Sequence, residues 1–137
     1  MHPLPFLSGL ALAVSLAVVL RAAPTPEQIK AESAKANAFF ERAYQETIAR
    51  SPMTLTELGL KQDYDKWDDF SAAGAADDLA LTVRHLAELQ RTIDPALLDA
   101  QTNVSYRMFV RQCDDAIEGW RWRYHAYIFD QMNGEQA

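Results

Sequence analysis

Hydrophobic residues recur at helical spacing in three parts of this chain, and polar residues fill the positions between them. Spacings of three and four residues are typical of amphipathic α-helices, because such positions share one helix face. The repeats occupy roughly residues 26–50, 76–93 and 95–127, and no alternating stretch is long enough to predict a strand. The pattern therefore predicts an all-α protein with about three amphipathic helices in an antiparallel, bundle-like arrangement.

The first helix has a beginning and an end that the sequence marks. Thr25-Pro26-Glu27-Gln28 combines a capping threonine, a proline in the first turn and a glutamine at capping-box spacing. Ser51-Pro52 ends the helix, because a residue before proline disfavours the α conformation. One or two further turns can follow, with Gly59 as their C-terminal stop. The expected buried stripe consists of Ile29, Phe40, Ala43, Tyr44, Thr47 and Ile48.

The other two helices carry more regular stripes. The second is expected from Ala76 to Ile93, with Leu79, Val83, Leu86, Leu89 and Ile93 in the core. Asp94-Pro95 should close it and open the third helix, since Asp caps well and Pro suits a first turn. The third stripe comprises Tyr106, Phe109, Val110, Cys113, Ile117, Trp120 and Tyr124. Ile117, Trp120 and Tyr124 are expected in the core, and Trp122 and Arg123 on the surface.

Residues 61–71 are expected to form an acidic loop, because four aspartates surround Tyr64 and Trp67. An EF-hand calcium loop is excluded, since Trp67 stands where a third oxygen ligand is needed and Gly74 stands where the final Glu is needed. We expect Tyr64 and Trp67 to anchor the loop in the core. Weak binding of a cation or of a basic partner is the alternative.

The first 22 residues predict an export signal. Residues 6–20 are apolar except for Ser8, Gly9 and Ser15. As a helix they would span about 22 Å, which is shorter than the ~30 Å hydrocarbon core of a bilayer. This length fits the apolar region of a signal peptide, with cleavage after Ala22, and an uncleaved inner-membrane anchor is the alternative. The chain is therefore expected to be exported, periplasmic or extracellular, with membrane contact only through this segment.

The net charge and the placement of cysteine and histidine limit the ligands and reactions that this chain can support. The chain has 13 Lys and Arg against 19 Asp and Glu, a formal net charge of −6, which argues against a nucleic-acid partner. Cys113 is the single cysteine, so an intrachain disulfide is excluded, and its place on the stripe predicts a buried thiol. The histidines stand apart, and His85 is expected on the surface. The sequence therefore predicts no catalytic, cofactor-binding or metal-binding residue in this chain.

The segment from Trp120 to Tyr127 alternates basic and aromatic residues, a composition suited to core packing with a domain contact, or to direct contact with a ligand. Around it, the chain resembles the N-terminal region of the bacterial family called domain of unknown function 885. Four segments carry the resemblance in order: Leu98–Thr102, Ser105–Phe109, Ala116–Arg123 and Gln131–Gly134. Phe39–Leu60 resembles the opening helix and turn of that family.

The resemblance implies a longer, exported, largely helical protein similar to zinc metallopeptidases. Zinc would be held by a His-Glu-x-x-Pro-Gly-His-His signature far downstream, and this chain contains no His-Glu dipeptide. Residues 23–137 would then be a non-catalytic N-terminal segment, an incomplete piece whose partner is the missing C-terminal catalytic region. The resemblance makes five residues family-motif or domain-contact candidates: Trp122, Arg123, Gln131, Asn133 and Gly134. The alternative is a small exported helical interaction module, complete in itself.

Overall fold

The computed structural model describes residues 23–125, and every regular element in this range is helical. It contains four α-helices: α1 Pro26–Ile48, α2 Pro52–Glu57, α3 Ala72–Thr92 and α4 Ala100–Gly119. Two 3-10 turns, Pro95–Leu97 and Trp120–Trp122, precede and follow α4. The all-α prediction is confirmed. The predicted export signal and its cleavage site lie outside the described residues.

The three long helices pack side by side in alternating directions. Polar contacts join Arg42 to Glu88 and, further along, Arg50 to Asp78, so α1 and α3 run antiparallel. α4 also packs against α3 and α1. Within residues 23–125, no helix is both long and apolar enough to cross a bilayer.

The ends of α1 and α2 follow the predicted signals. Thr25 Oγ1 accepts a hydrogen bond from the Gln28 backbone N–H at 3.3 Å, and the Gln28 side chain accepts one from the Thr25 N–H at 2.8 Å. Ser51 separates α1 from α2, and its Oγ accepts a hydrogen bond from the Thr54 N–H at 3.1 Å. Gly59 has a φ of +72°, a conformation that favours glycine, and it follows the end of α2.

The core lies where α1, α3 and α4 meet. Its buried members are Ala36, Phe39, Ala43, Leu89 and Ile93, and the partly buried residues packed on them are Phe40, Leu98, Tyr106, Phe109 and Val110. Phe39 meets Phe109 edge-on, with ring centroids 5.6 Å apart. Removal of these apolar surfaces from water provides the main drive for packing the three helices together.

The predicted stripe on α1 is partly wrong. Ala43 and Ile48 are buried as expected, but Tyr44 is 48% exposed and Phe39, which the prediction left out, is buried. Phe39 and Phe40 are adjacent and both apolar, so periodicity alone does not choose between them. The small side chain of Ala36 shares a face with Phe39, and this face meets the other helices.

α3 begins four residues before the predicted start, because Ser71 caps it and accepts a hydrogen bond from the Gly74 N–H at 3.0 Å. Leu86, Leu89 and Ile93 are buried as predicted. Val83 is exposed instead, and Leu81 and His85 are buried. The buried face of α3 is broader than one stripe, since α3 packs against both α1 and α4.

α4 begins at Ala100 and not at Pro95. Asp94 caps the short 3-10 turn, and Asp99 caps α4 by accepting a hydrogen bond from the Thr102 N–H at 2.7 Å. α4 ends at Gly119, so the predicted helical stripe does not continue through the basic-aromatic segment.

Three residues expected in the core of the third helix are more exposed than predicted. Ile117 is 37% exposed, Tyr124 is 75% exposed, and Trp120 is only partly buried. The backbone leaves α-helical geometry at Trp120, which takes the later aromatic residues off the buried face. Cys113, about two helical turns before Trp120, is buried as predicted.

The acidic loop between α2 and α3 is held by carboxylates and not by its aromatic residues. Asp68 accepts hydrogen bonds from the Ser51 hydroxyl at 2.7 Å and from the Met53 N–H at 3.0 Å. Tyr64 is 53% exposed and Trp67 is 79% exposed, so the prediction that they anchor the loop in the core is wrong. Short-range hydrogen bonds to the cap of α2 replace the expected burial.

Candidate interaction surface

His85, which was expected on the surface, is a buried link between α1 and α3. Its Nε2 lies 2.8 Å from Glu46 Oε2, and its ring packs edge-on against Phe39. Glu46 also approaches Arg42 at 3.7 Å and Arg84 at 3.5 Å. The pKa of Glu46 lies below its ordinary value, first because of the hydrogen bond to His85 and further because of the nearby positive charges. A buried imidazole that is paired in this way stabilises the contact between two helices.

Cys113 is a second reactive side chain that is buried within the described part of the chain. It lies in α4 with 6% of its surface exposed. Burial raises the pKa of its thiol, and the negative charge of Asp114 adds to the increase. Because the thiolate is the nucleophilic form, both effects make Cys113 a poor nucleophile.

The zinc implied by the family resemblance does not fit the residues at hand. A zinc site needs three or four converging His, Cys, Asp or Glu ligands, and no group of three such side chains occurs within residues 23–125. Glu46 lies 2.8 Å from His85 Nε2, and these two side chains alone do not make a zinc site. His125 is exposed and lies against Trp122, with ring centroids 5.2 Å apart.

The outer side of α4 presents an open apolar surface. Val104 is 48% exposed and Met108 is 58% exposed, and residues four apart are neighbours on a helix face. A groove of about 730 Å³, here called the α4 groove, lies along this helix and is lined by Val104, Tyr106, Arg107, Met108, Val110, Arg111, Gln112 and Asp114. Neighbouring exposed apolar side chains that line a groove mark a candidate surface for contact with another protein or domain.

Residues 120–125, here called the arginine–aromatic turn, follow directly after α4. The Arg121 guanidinium lies 4.8 Å from the centroid of the Trp122 ring, and Arg123 lies 4.3 Å from that of Trp120 and 4.4 Å from that of Tyr124. Arg121 also pairs with Glu118 at 3.0 Å, as the i,i+3 spacing predicts. The turn thus presents stacked arginine and aromatic side chains at the surface.

The predicted site residues fall into two groups. Trp122 and Arg123 are exposed, as expected, while their role in a domain contact stays a prediction. Gln131, Asn133 and Gly134 lie outside the described residues. The α4 groove was missed, although Val104 and Met108 stand at i,i+4 spacing off the main stripe and could have indicated it.

Comparison with known proteins places the chain in a family. A family model described as "Bacterial protein of unknown function (DUF885)" matches residues 52–137. No curated protein and no solved structure matches the chain. The matched range covers more than half of the chain, and it includes α3, α4, the α4 groove and the arginine–aromatic turn. The resemblance drawn from the sequence is therefore confirmed over residues 52–137, and the chain belongs to the DUF885 family of bacterial proteins of unknown function.

Proposed function

We propose that this chain is the N-terminal, helical, non-catalytic part of an exported metallopeptidase-like hydrolase, and that it docks onto the catalytic region of that protein through α4. The observation that carries the proposal is the α4 groove, where Val104 and Met108 are about half exposed on one helix face. Covering such side chains removes apolar surface from water and so favours docking. The family match supports the proposal, because it includes this surface.

The state of the reactive side chains supports a non-catalytic role. His85 is buried, and its Nε2 is engaged by the Glu46 carboxylate at 2.8 Å. Cys113 is buried and its pKa is raised. Zinc and the water that it activates would be supplied by the C-terminal catalytic region, and residues 23–125 would act by binding that region.

The alternative function is a small exported helical interaction module that is complete in itself. Such a module would bury its apolar stripes among its own helices. Met108 and Val104 lie outside the core and line an open groove, which favours docking onto a larger protein.

The test mixes the chain with the polypeptide that the proposal places after residue 137, expressed separately from the same gene. Sedimentation should show a one-to-one complex. Met108→Asp should abolish it, because moving a carboxylate from water into an apolar contact is costly. Gln45→Asp is the control. Gln45 is exposed, and at ~100° per residue it lies about 200° around α1 from buried Ala43.

Two results would contradict the proposal. One is the absence of a complex between the wild-type chain and the downstream polypeptide. The other is peptide hydrolysis by this chain alone, accompanied by one tightly bound zinc ion per chain in a calorimetric titration. The expected result is that the chain alone neither hydrolyses peptides nor binds zinc at submicromolar concentration.

A further inference from the structure

The arginine–aromatic turn is a basic patch in an acidic protein. Residues 119–125 include Arg121, Arg123 and His125 and no Asp or Glu, whereas the whole chain has a formal net charge of −6. Arg121 is paired with Glu118. Arg123 stacks on two rings and donates a hydrogen bond from Nη1 to the Trp120 carbonyl at 2.9 Å. Within the described part of the chain, Arg123 forms no salt bridge.

Stacking prepares these arginines to bind a planar anion. The five N–H donors of a guanidinium lie in its own plane, so a ring against one face leaves several of them available. Arg123 contacts both Trp120 and Tyr124, which restricts the motion of its side chain. A side chain that is already ordered loses less entropy when it binds a partner. Carboxylates match the guanidinium geometry by accepting two parallel hydrogen bonds.

We infer that the arginine–aromatic turn binds a carboxylate-bearing surface of the catalytic region. Arg121 and Arg123 donate hydrogen bonds to Asp or Glu side chains there, and Trp122, half exposed, packs against the same surface. The inference rests on the proposed function, because the catalytic region is the partner.

An anionic membrane fits the turn less well than an acidic protein surface. Asp114, Asp115 and Glu118 stand on α4 within seven residues of Arg121, a distance of about 10 Å along a helix axis. A bilayer with anionic lipids is negatively charged over a broad area and would repel a chain whose formal net charge is −6. A protein surface can place its carboxylates opposite the arginines alone.

Reversing the charges of the turn tests the inference. Arg121→Glu/Arg123→Glu should weaken binding of the chain to the catalytic region about 10- to 100-fold in calorimetry, because attractive contacts become repulsive. The matched control is Lys30→Glu/Lys61→Glu, which makes the same change in net charge at two exposed lysines outside α4. The control should change the Kd by less than about threefold. Circular dichroism of each variant shows that it is folded.

Salt adds an independent readout. Higher NaCl concentration screens charges, so it should weaken the wild-type complex more than the complex of the arginine variant. Unchanged affinity in the arginine variant would overturn the inference and leave the proposed function standing. Absence of any wild-type complex would overturn both.

Binding to lipid vesicles tests whether the turn contacts a membrane instead. The chain should bind phosphatidylglycerol vesicles no better than phosphatidylcholine vesicles. If it binds the anionic vesicles, loses that binding in the arginine variant and keeps its affinity for the catalytic region, then the turn is a membrane contact and the inference is wrong.

Discussion

Replacement of Phe39 by alanine should strongly destabilise this protein, because Phe39 joins all three long helices. Its ring is 5% exposed and meets the rings of Phe40 and Phe109 edge-on at 5.9 and 5.6 Å. It also packs against His85 from α3, and the Arg42 guanidinium lies 5.3 Å from its centroid. Phe39→Ala removes these contacts together.

The expected loss is large compared with the stability of a small domain. Truncating a buried Phe to Ala typically costs about 3 to 5 kcal/mol, including the cavity that remains. Native domains are stable by only about 5 to 15 kcal/mol. At about 4 to 8 °C per kcal/mol for a domain of this size, Phe39→Ala should lower the Tm by at least about 12 °C.

Thermal and urea unfolding followed by circular dichroism measure this loss. The matched control is Phe70→Ala, the same substitution at a side chain that is 78% exposed in the acidic loop. The control should change the free energy of unfolding by less than about 0.5 kcal/mol. Equal losses for the two variants, or a loss under about 1 kcal/mol for Phe39→Ala, would refute the assignment of Phe39 to the core.

Three further predictions concern pH, reactivity and export. In the folded protein, the hydrogen bond to His85 lowers the pKa of Glu46. The pair therefore stabilises the fold at pH values above the ordinary pKa of 4.5, and this stabilisation is lost as the pH falls through the lowered pKa. Urea unfolding at a series of acid pH values should therefore show a smaller loss of unfolding free energy for Glu46→Gln than for the wild type. An equal dependence of unfolding free energy on pH in the two proteins would contradict this. Cys113 should react with a thiol reagent slowly in the folded protein and rapidly in urea, since burial raises its pKa; fast reaction of the native protein would show an exposed thiol. Mass spectrometry of the protein expressed in a bacterium should find a mature start just after Ala22, whereas recovery only of the intact chain in the membrane fraction would favour the uncleaved anchor.

Local signals predicted the ends of α1 and α2 well, because the interacting groups there are close in sequence. Thr25 and Gln28 form their capping box within one turn, and Gly59 adopts the backbone conformation that its position suggested. The beginning of α4 was harder to predict. Asp94 and Asp99 can both cap a helix, and the sequence does not show that Asp94 caps only a short 3-10 turn.

Long-range packing determines which side chains are buried at positions where the local sequence pattern does not. His85 lies beside charged residues and looks exposed, yet its partner Glu46 is 39 residues away on another helix. The choice of Phe39 for the core likewise depends on Phe109, which comes from α4. At the candidate surface, the exposure of Trp122 was predicted correctly. The exposure of Tyr124 was not predicted, because the prediction extended α4 beyond Gly119.

Photo-crosslinking from position 108 tests the central claim most directly. A photoreactive phenylalanine analogue in place of Met108 would lie in the α4 groove, and the same analogue in place of Gln45 would lie on the far side of α1. After irradiation of the mixture with the downstream polypeptide, the position 108 variant should form a crosslink to that polypeptide, and the position 45 variant should not. A crosslink from position 108 only to a second copy of this chain, or equal crosslinking from both positions, would contradict docking through α4.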